Sequence, residues 1–310
     1  MRKIKKLKIV SAERAVVVSF LVDISDVVIN LVVAVMSGSV VMISQVLQGF
    51  ADLVSSGLLI FGVKRARLPR DKRYPYGHGR ELYFWTFLST LFTFTITAVV
   101  SFYLGLQRFI NPQPISQLFW AYIVLFVSVF TNGYAMWLSM QRLLRKKHLS
   151  KLWSVFTHGV LIETKTSLVL DFTGVLASAL GIFTLFLYQI TGDARWDGLG
   201  AMLIAGILGL LDIYLIKRAK DLLVGRSASD STEKKIAETI KSFAEVEEVV
   251  DLRTLHIGPE KLMINVEINF ENKLTTDKIE VLIDKIEEKI KTKVPSAVSI
   301  QIELETSRIH

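Results

Sequence analysis

The chain has no cysteine. That absence excludes disulfides, thiolate metal ligands and dithiol redox chemistry, though it says little about compartment. The 310 residues include only five histidines. No phosphate-binding glycine loop, nucleophile elbow, zinc-protease helix or dinucleotide fingerprint is present, which separates the chain from ATP-driven pumps and from the common enzyme classes. Charge is also missing from long stretches, and its segregation sets the class of the protein.

Apolar residues make up 51% of the chain and charged residues 21%, with a mean hydropathy of +0.43. Six apolar stretches, at 15–36, 40–63, 82–106, 117–140, 167–190 and 198–216, are long enough to cross a bilayer as helices. Only helices satisfy the backbone inside such runs, so a spanning bundle in lipid follows. The first stretch is too long for a removed signal peptide and lacks its cleavage pattern. The segments MRKIKKLK, KRARLPRDKR, QRLLRKKHLSK and KRAKD are basic, whereas SGS, NPQPISQ and TGDARWD together hold one arginine. The positive-inside tendency then predicts cytoplasmic N- and C-termini. A net charge of +8 reflects this topology and some affinity for anionic lipid. Nucleic acid is not an expected partner, because the soluble part has no basic stripe with interleaved aromatics.

Beyond the sixth span the composition changes, which divides the chain into a membrane domain over 1–226 and a soluble domain over 227–310. In KLMINVEINF the residues Leu262, Ile264, Val266, Ile268 and Phe270 alternate, as do Val298, Ile300, Ile302 and Leu304 in VSIQIELE. Both patterns predict half-buried strands. Between them Ile279, Ile283, Ile286 and Ile290 recur at helical spacing, with Thr275 or Thr276 as N-cap. A helix over 231–243, capped by Asp230 or Ser231, and a strand over VVDLRTLHI complete an α-β-β-α-β order. The fold class is thus six transmembrane helices with a C-terminal cytoplasmic α+β domain.

Two polar pairs interrupt the spans. Gln48 and Asp52 lie in QVLQGFADLVSS, and Ser167 and Asp171 in TSLVLDFTGVLAS. Each pair is spaced i, i+4, so on a helix both members point the same way. Ionisable groups at membrane depth are costly and face a partner, a water-filled cavity or an ion. Two such helices facing each other would form a four-pronged oxygen site for a cation. Two carboxylates, an amide carbonyl and a hydroxyl favour harder ions such as Mg²⁺, Mn²⁺, Ca²⁺ or Fe²⁺, with Zn²⁺ possible. Further intramembrane acids are Asp23, Asp26 and Asp212, with Asn30 one turn beyond Asp26. Each, Asp212 late in the sixth span included, reads either as an extra ligand or path residue, or structurally as a hydrogen bond between helices or a residue near a wet cytoplasmic cavity. Trp85, Trp120, Trp137, Trp196 and Tyr83 lie near span ends, as interfacial anchors do.

The segments SQVLQGFADLVSS, PYGHGRELYFW, WDGLGA and DLRTLHIGPEKL, with six spans and the α+β tail, resemble the cation diffusion facilitator, or cation efflux, family over nearly the whole chain. The resemblance implies a homodimer that exchanges a divalent metal ion for protons, with a ferredoxin-like, copper-chaperone-like tail at the dimer interface. It places the transport site at Gln48, Asp52, Ser167 and Asp171, although family members usually carry His or Asp where Gln48 and Ser167 stand. His78 resembles a position of the family's loop site, where Tyr74 replaces the usual histidine, so His78 reads as structural or solvated. Metal-binding histidines of the family's tail are replaced by Val250, Val266 and Gln301, and His256 reads as a strand residue. Arg80 would make a charge contact in the dimer. Two other functions remain open at this point: a transport-inactive membrane partner or regulator of a paralogue, and a monovalent cation/proton antiporter.

Overall fold

The computed structural model describes residues 24–144, 162–272 and 274–305. Asp23, His148 and His158 lie outside them. Six helices occupy the six apolar stretches: α1 over Ile24–Ser37 of the described residues, α2 Val40–Ala66, α3 Glu81–Ile110, α4 Leu118–Leu144, α5 Ile162–Thr191 and α6 Arg195–Val224. Five of them are long and apolar enough to cross a membrane, and the described part of α1 is shorter. At most 44% of each apolar window is buried within the protein. Large apolar side chains such as Phe130, Leu210 and Phe119 point outward, a surface that lipid and not water would cover. Trp120 and Trp137 are among these exposed groups, but Tyr83 is fully buried. Tyr83 therefore packs inside the protein and is not an interfacial anchor.

Two compact units make up the chain. The first takes in 1–61, 85–156 and 163–217; the second takes in 62–84, 157–162 and 218–310. Within the first unit, Val33, Met42, Leu125 and Leu185 centre one apolar cluster of α1, α2, α4 and α5. Val40, Val41, Ala177, Ile204 and Leu208 centre another, of α2, α5 and α6. Helices α3 and α6 approach closely at glycine. A methyl group added to Gly198 would lie 2.7 Å from the Gly105 carbonyl oxygen, and one added to Gly209 would lie 3.0 Å from Cβ of Ala98. Small residues permit this approach in lipid, where packing replaces the hydrophobic effect between helices.

In the second unit the tail runs α7 Asp230–Ile240, β1 Val246–Gly258, β2 Lys261–Phe270, α8 Thr276–Lys293 and β3 Ala297–Leu304. The sheet order is β1-β2-β3, with β1–β2 antiparallel and β2–β3 parallel. Leu262, Ile264, Val266, Ile268 and Phe270 of β2 are all buried against Ile236 and Ile240 of α7 and Leu282, Ile286 and Ile290 of α8. The alternation read from the sequence is thus the core face of the sheet.

Two details differ from expectation. The cap of α7 is Ser229, whose extended backbone precedes the helix and whose carbonyl accepts from Thr232 N and Glu233 N; Asp230 already lies inside it. In β3 the pairing skips Val298, since Leu262 pairs with Ala297 and Met263 with Ser299. That bulge turns Ala297 inward and leaves Val298 half exposed, and Leu304 at the far end is uncovered too. Ile300 and Ile302 alone of the predicted β3 face pack against the core.

Candidate functional site

Each α-helix begins with amide groups that lack intrahelical partners. At α2 these are all engaged. Val40 N donates to Asp197 Oδ2 at 2.7 Å and Val41 N to Asp197 Oδ1 at 3.0 Å, while Met42 N donates to Ser39 Oγ at 3.3 Å. Ser39 Oγ itself donates to Asp197 at 2.6 Å, and Arg108 Nε lies 3.2 Å from the same carboxylate. Asp197, from the start of α6, is completely buried. It caps α2 from another helix, and the Gly105–Gly198 approach brings α3's Arg108 to it. This cap fixes the N-terminal end of α2, about two to three turns before Gln48 and Asp52.

Further along α2, a ladder of polar contacts joins it to α5. Ser178 Oγ lies 3.2 Å from Gln45 Oε1, and Gln48 Nε2 lies 3.4 Å from Thr173 Oγ1. Gln45 and Gln48 are both more than nine-tenths buried. Gln48 Oε1 and Gln45 Nε2 are buried with no hydrogen-bond partner among the described residues. Asp52 follows one turn after Gln48 on α2 and is partly buried. Asp171, on α5, is partly buried and accepts a hydrogen bond from Ser139 Oγ of α4. Ser167 belongs to α5, but its side chain lies outside the described ones. Among the described residues, no group of three or more His, Cys, Asp and Glu is arranged to hold a metal ion.

The contact from Gln48 thus reaches Thr173, a residue the i, i+4 argument does not select. Two positions along a helix turn the side chain to the other flank, so Thr173 and Asp171 leave α5 on different sides. Gln45 was legible in principle, because it stands a heptad before Asp52 and so on the same side of α2. Ser139 carried no comparable signal. Asp26 has Ser128 Oγ 3.5 Å from its carboxylate, and Asn30 Nδ2 donates to its carbonyl at 2.8 Å; both contacts are of the structural kind weighed for it.

At the other end of α2, before α3, a second polar cluster surrounds His78. Nδ1 lies 3.0 Å from Glu81 Oε1 and Nε2 3.1 Å from Asp71 Oδ2. Glu81 also accepts from Arg65 Nε and Nη2 at 2.8 and 2.9 Å, a bidentate pair. Hydrogen bonds to Glu81 and then Asp71 raise the His78 pKa above its ordinary value. Asp71 is lowered, first by the amide of Tyr74 and then by His78. Both ring nitrogens face carboxylate oxygens, and in the protonated form favoured by that pairing the ring has no lone pair for a metal. His78 is buried and therefore structural and not solvated. Its neighbour Arg80 donates Nη2 to the Leu223 carbonyl near the end of α6. In the tail, His256 is buried in β1, and burial followed by the charge of Arg226 lowers its pKa. It is a strand residue, as expected.

Comparison with known proteins bears on the whole architecture. The chain is similar to the "Proton-coupled zinc antiporter SLC30A9, mitochondrial" of Xenopus laevis, 26% identical over 266 residues, which are 85% of this chain and 47% of that protein. The human protein of the same name is 26% identical over 243 residues, 77% of this chain and 43% of that one. The chain thus spans about half the length of these curated relatives. It is also 26% identical over 230 residues to the "Cation-efflux pump FieF" of Shewanella oneidensis, covering 74% of this chain and 73% of that protein. Residues 228–305 match the family described as "Cation efflux protein, cytoplasmic domain". Residues 16–224, most of the chain, match the "Cation efflux transmembrane domain", and the chain belongs to the cation efflux family.

Proposed function

We propose that the chain carries a divalent metal cation out of the cytoplasm in exchange for protons, with Asp52 and Asp171 as charged ligands and Gln48 and Ser167 as neutral oxygen donors. The observation that supports this reading is the register of α2 against α5. The helices run antiparallel, and the Gln45–Ser178 contact ties them together at one level. Asp52 stands a heptad after Gln45 and Asp171 a heptad before Ser178, so each acid lies about two turns from that contact, in the same direction and on the same side of its helix. A cation between two acids at matching depth would offset their mutual repulsion. The buried Gln48 Oε1 is an acceptor one turn away.

The relatives named as a proton-coupled zinc antiporter and a cation-efflux pump fit metal efflux with proton exchange. Oxygen donors favour Mn²⁺, Fe²⁺ or Mg²⁺, while zinc is the ion in the relatives' name, so the ion is decided by competition. Both termini face the cytoplasm on the charge pattern of the connections. The match of the tail to a cation efflux cytoplasmic domain fits a second copy of the chain as partner. The ion moves by alternating access, and protonation of Asp52 or Asp171 weakens its binding.

The test is metal uptake into proteoliposomes across a pH gradient, scanning Mn²⁺, Fe²⁺, Zn²⁺, Co²⁺, Cd²⁺ and Mg²⁺. Asp52→Ala and Asp171→Ala should reduce the rate to that of empty liposomes. Wild-type rates in both variants would overturn the site. Absence of uptake by the wild type would favour a regulatory partner, and competition by Na⁺ would favour monovalent exchange.

A further inference from the structure

Asp212 lies late in the sixth apolar stretch, five residues before Lys217, and Thr97 near the middle of α3. It is 3% exposed. Among the described residues its one hydrogen-bond partner is Thr97 Oγ1, at 3.3 Å, and that hydroxyl also lies 2.8 Å from the Thr93 carbonyl oxygen. One hydroxyl hydrogen cannot serve both acceptors fully. Among the described residues no cation pairs with Asp212. Arg108 of α3 is engaged by Asp197, Glu81 stands at the opposite end of α3, and Lys217 and Arg218 follow more than a turn further along α6. The acids within the spans of α2 and α5, Asp52 and Asp171, belong to the ion site proposed above. An ionised carboxylate at this depth without counter-charge is costly and requires a bound cation. A metal ion needs several oxygen ligands; here there are one carboxylate and one shared hydroxyl. The cation that this donor set fits is a proton.

The surroundings suit such a role. Thr97 belongs to a π-helical segment, Phe94–Val100, set within α3, a feature that often marks functional positions. Along the same helix Thr86, Thr90, Thr93, Thr97 and Ser101 are all buried, and the hydroxyls of Thr86 and Ser101 have no hydrogen-bond partner among the described residues. They form a column of exchangeable hydroxyl groups running past Asp212, and Ser89 and Thr95 add two further hydroxyls to this part of α3.

We propose that Asp212 is a proton-binding site separate from the α2–α5 ion site, and that its proton is among those exchanged for the metal ion, beside any taken up by Asp52 or Asp171. The second clause rests on the transport reading above. In this scheme the Asp212 carboxyl gives its proton to water on the side from which the metal ion arrives and regains one from the opposite side once the ion has left. The membrane interior then never holds both cations.

The first test needs no transport. Infrared difference spectra of the purified full-length protein at neutral pH should show the C=O band of a protonated carboxyl group that is lost in Asp212→Asn and shifted in Thr97→Val. If the first variant does not fold, the shift in the second still reports on the site. Absence of any band that responds to either substitution overturns the proposal. In proteoliposomes loaded with Mn²⁺ alone, Asp212→Asn should bind the ion as the wild type does by calorimetry, while proton release driven by the metal falls by about half or more, the share that Asp212 carries beside Asp52 and Asp171. Wild-type proton release from Asp212→Asn overturns the exchange clause. A wild type that moves no metal instead overturns the transport reading, and the infrared band still decides the proton site.

Discussion

Asp197 and Asp212 stand on the same helix and are almost equally hidden from solvent, yet their environments are opposite. Asp197 receives a hydroxyl, two backbone amides and a guanidinium, so its charge is fully compensated where it stands. Asp212 receives part of one hydroxyl. Burial alone therefore does not distinguish a structural acid from a working one; the number and kind of donors does. A saturated carboxylate fixes geometry, and an under-served one retains the capacity to bind a cation. The same contrast separates Asp197 from the glutamines of α2, where Gln45 and Gln48 each leave one buried atom without a partner among the described residues. In this family member the end of the bundle around Asp197 is the fixed part, and the middle is where polar groups remain available.

The sharpest way to break that comparison is Asp197→Ala. It would strand a buried guanidinium, the Ser39 hydroxyl and two helix-terminal amides, so it should destabilise the protein by about 3–5 kcal/mol, the usual cost of removing one member of a buried pair. Thermal unfolding of purified protein in detergent measures this, and a loss below that seen for an exposed aspartate such as Asp193 would refute the structural role. Arg108→Met is the intermediate case. The carboxylate keeps Ser39 and the positive end of α2, so the expected loss is smaller, about 1–3 kcal/mol for a hydrogen bond to a charged group. Equal losses in the two variants would mean that the ion pair, and not the helix cap, holds this end together.

Much of this contrast could be read from the sequence, but only where the signal is local. The spans follow from uninterrupted apolar runs, and β2 from strict alternation of Leu262 through Phe270, because each depends on near neighbours in the chain. The acids of the candidate site were likewise visible as lone charges in apolar helices. Asp197 was visible only as part of a motif, since its role comes from Ser39, Val40 and Arg108, which are remote in sequence. Thr173 was missed because the contact from Gln48 depends on how α5 is rotated against α2, which helical spacing within one segment does not fix. Tyr83 misled for a related reason: position near a span end suggests an interface, whereas burial depends on what packs against it. Val298 shows the same limit in the sheet, where one bulge breaks the alternation that the residue types advertise.

The smallest effect is expected at His78, where water shares the work. Its charged ring is held by Glu81 and Asp71, which raises its pKa above the ordinary 6.5. The stability from that pairing is fully present below pH 6.5 and is lost as pH rises through the raised value. Asp71 works in the opposite sense: its pKa is lowered from 3.8, so its contribution is present above that pH and disappears as pH falls through the lowered value. The cluster therefore contributes fully between pH 3.8 and 6.5 and weakens on the alkaline side first. Asp71 is 53% exposed, so solvent and salt screen the interaction and the effect stays below that of either change at the Asp197 cap. Melting temperatures followed upward from pH 6.5 should decline more steeply in the wild type than in His78→Gln, and high salt should narrow the difference. Parallel slopes in the two proteins would show that the ring is held by packing against Tyr74, whose ring centroid is 4.3 Å away, and that its charge contributes nothing.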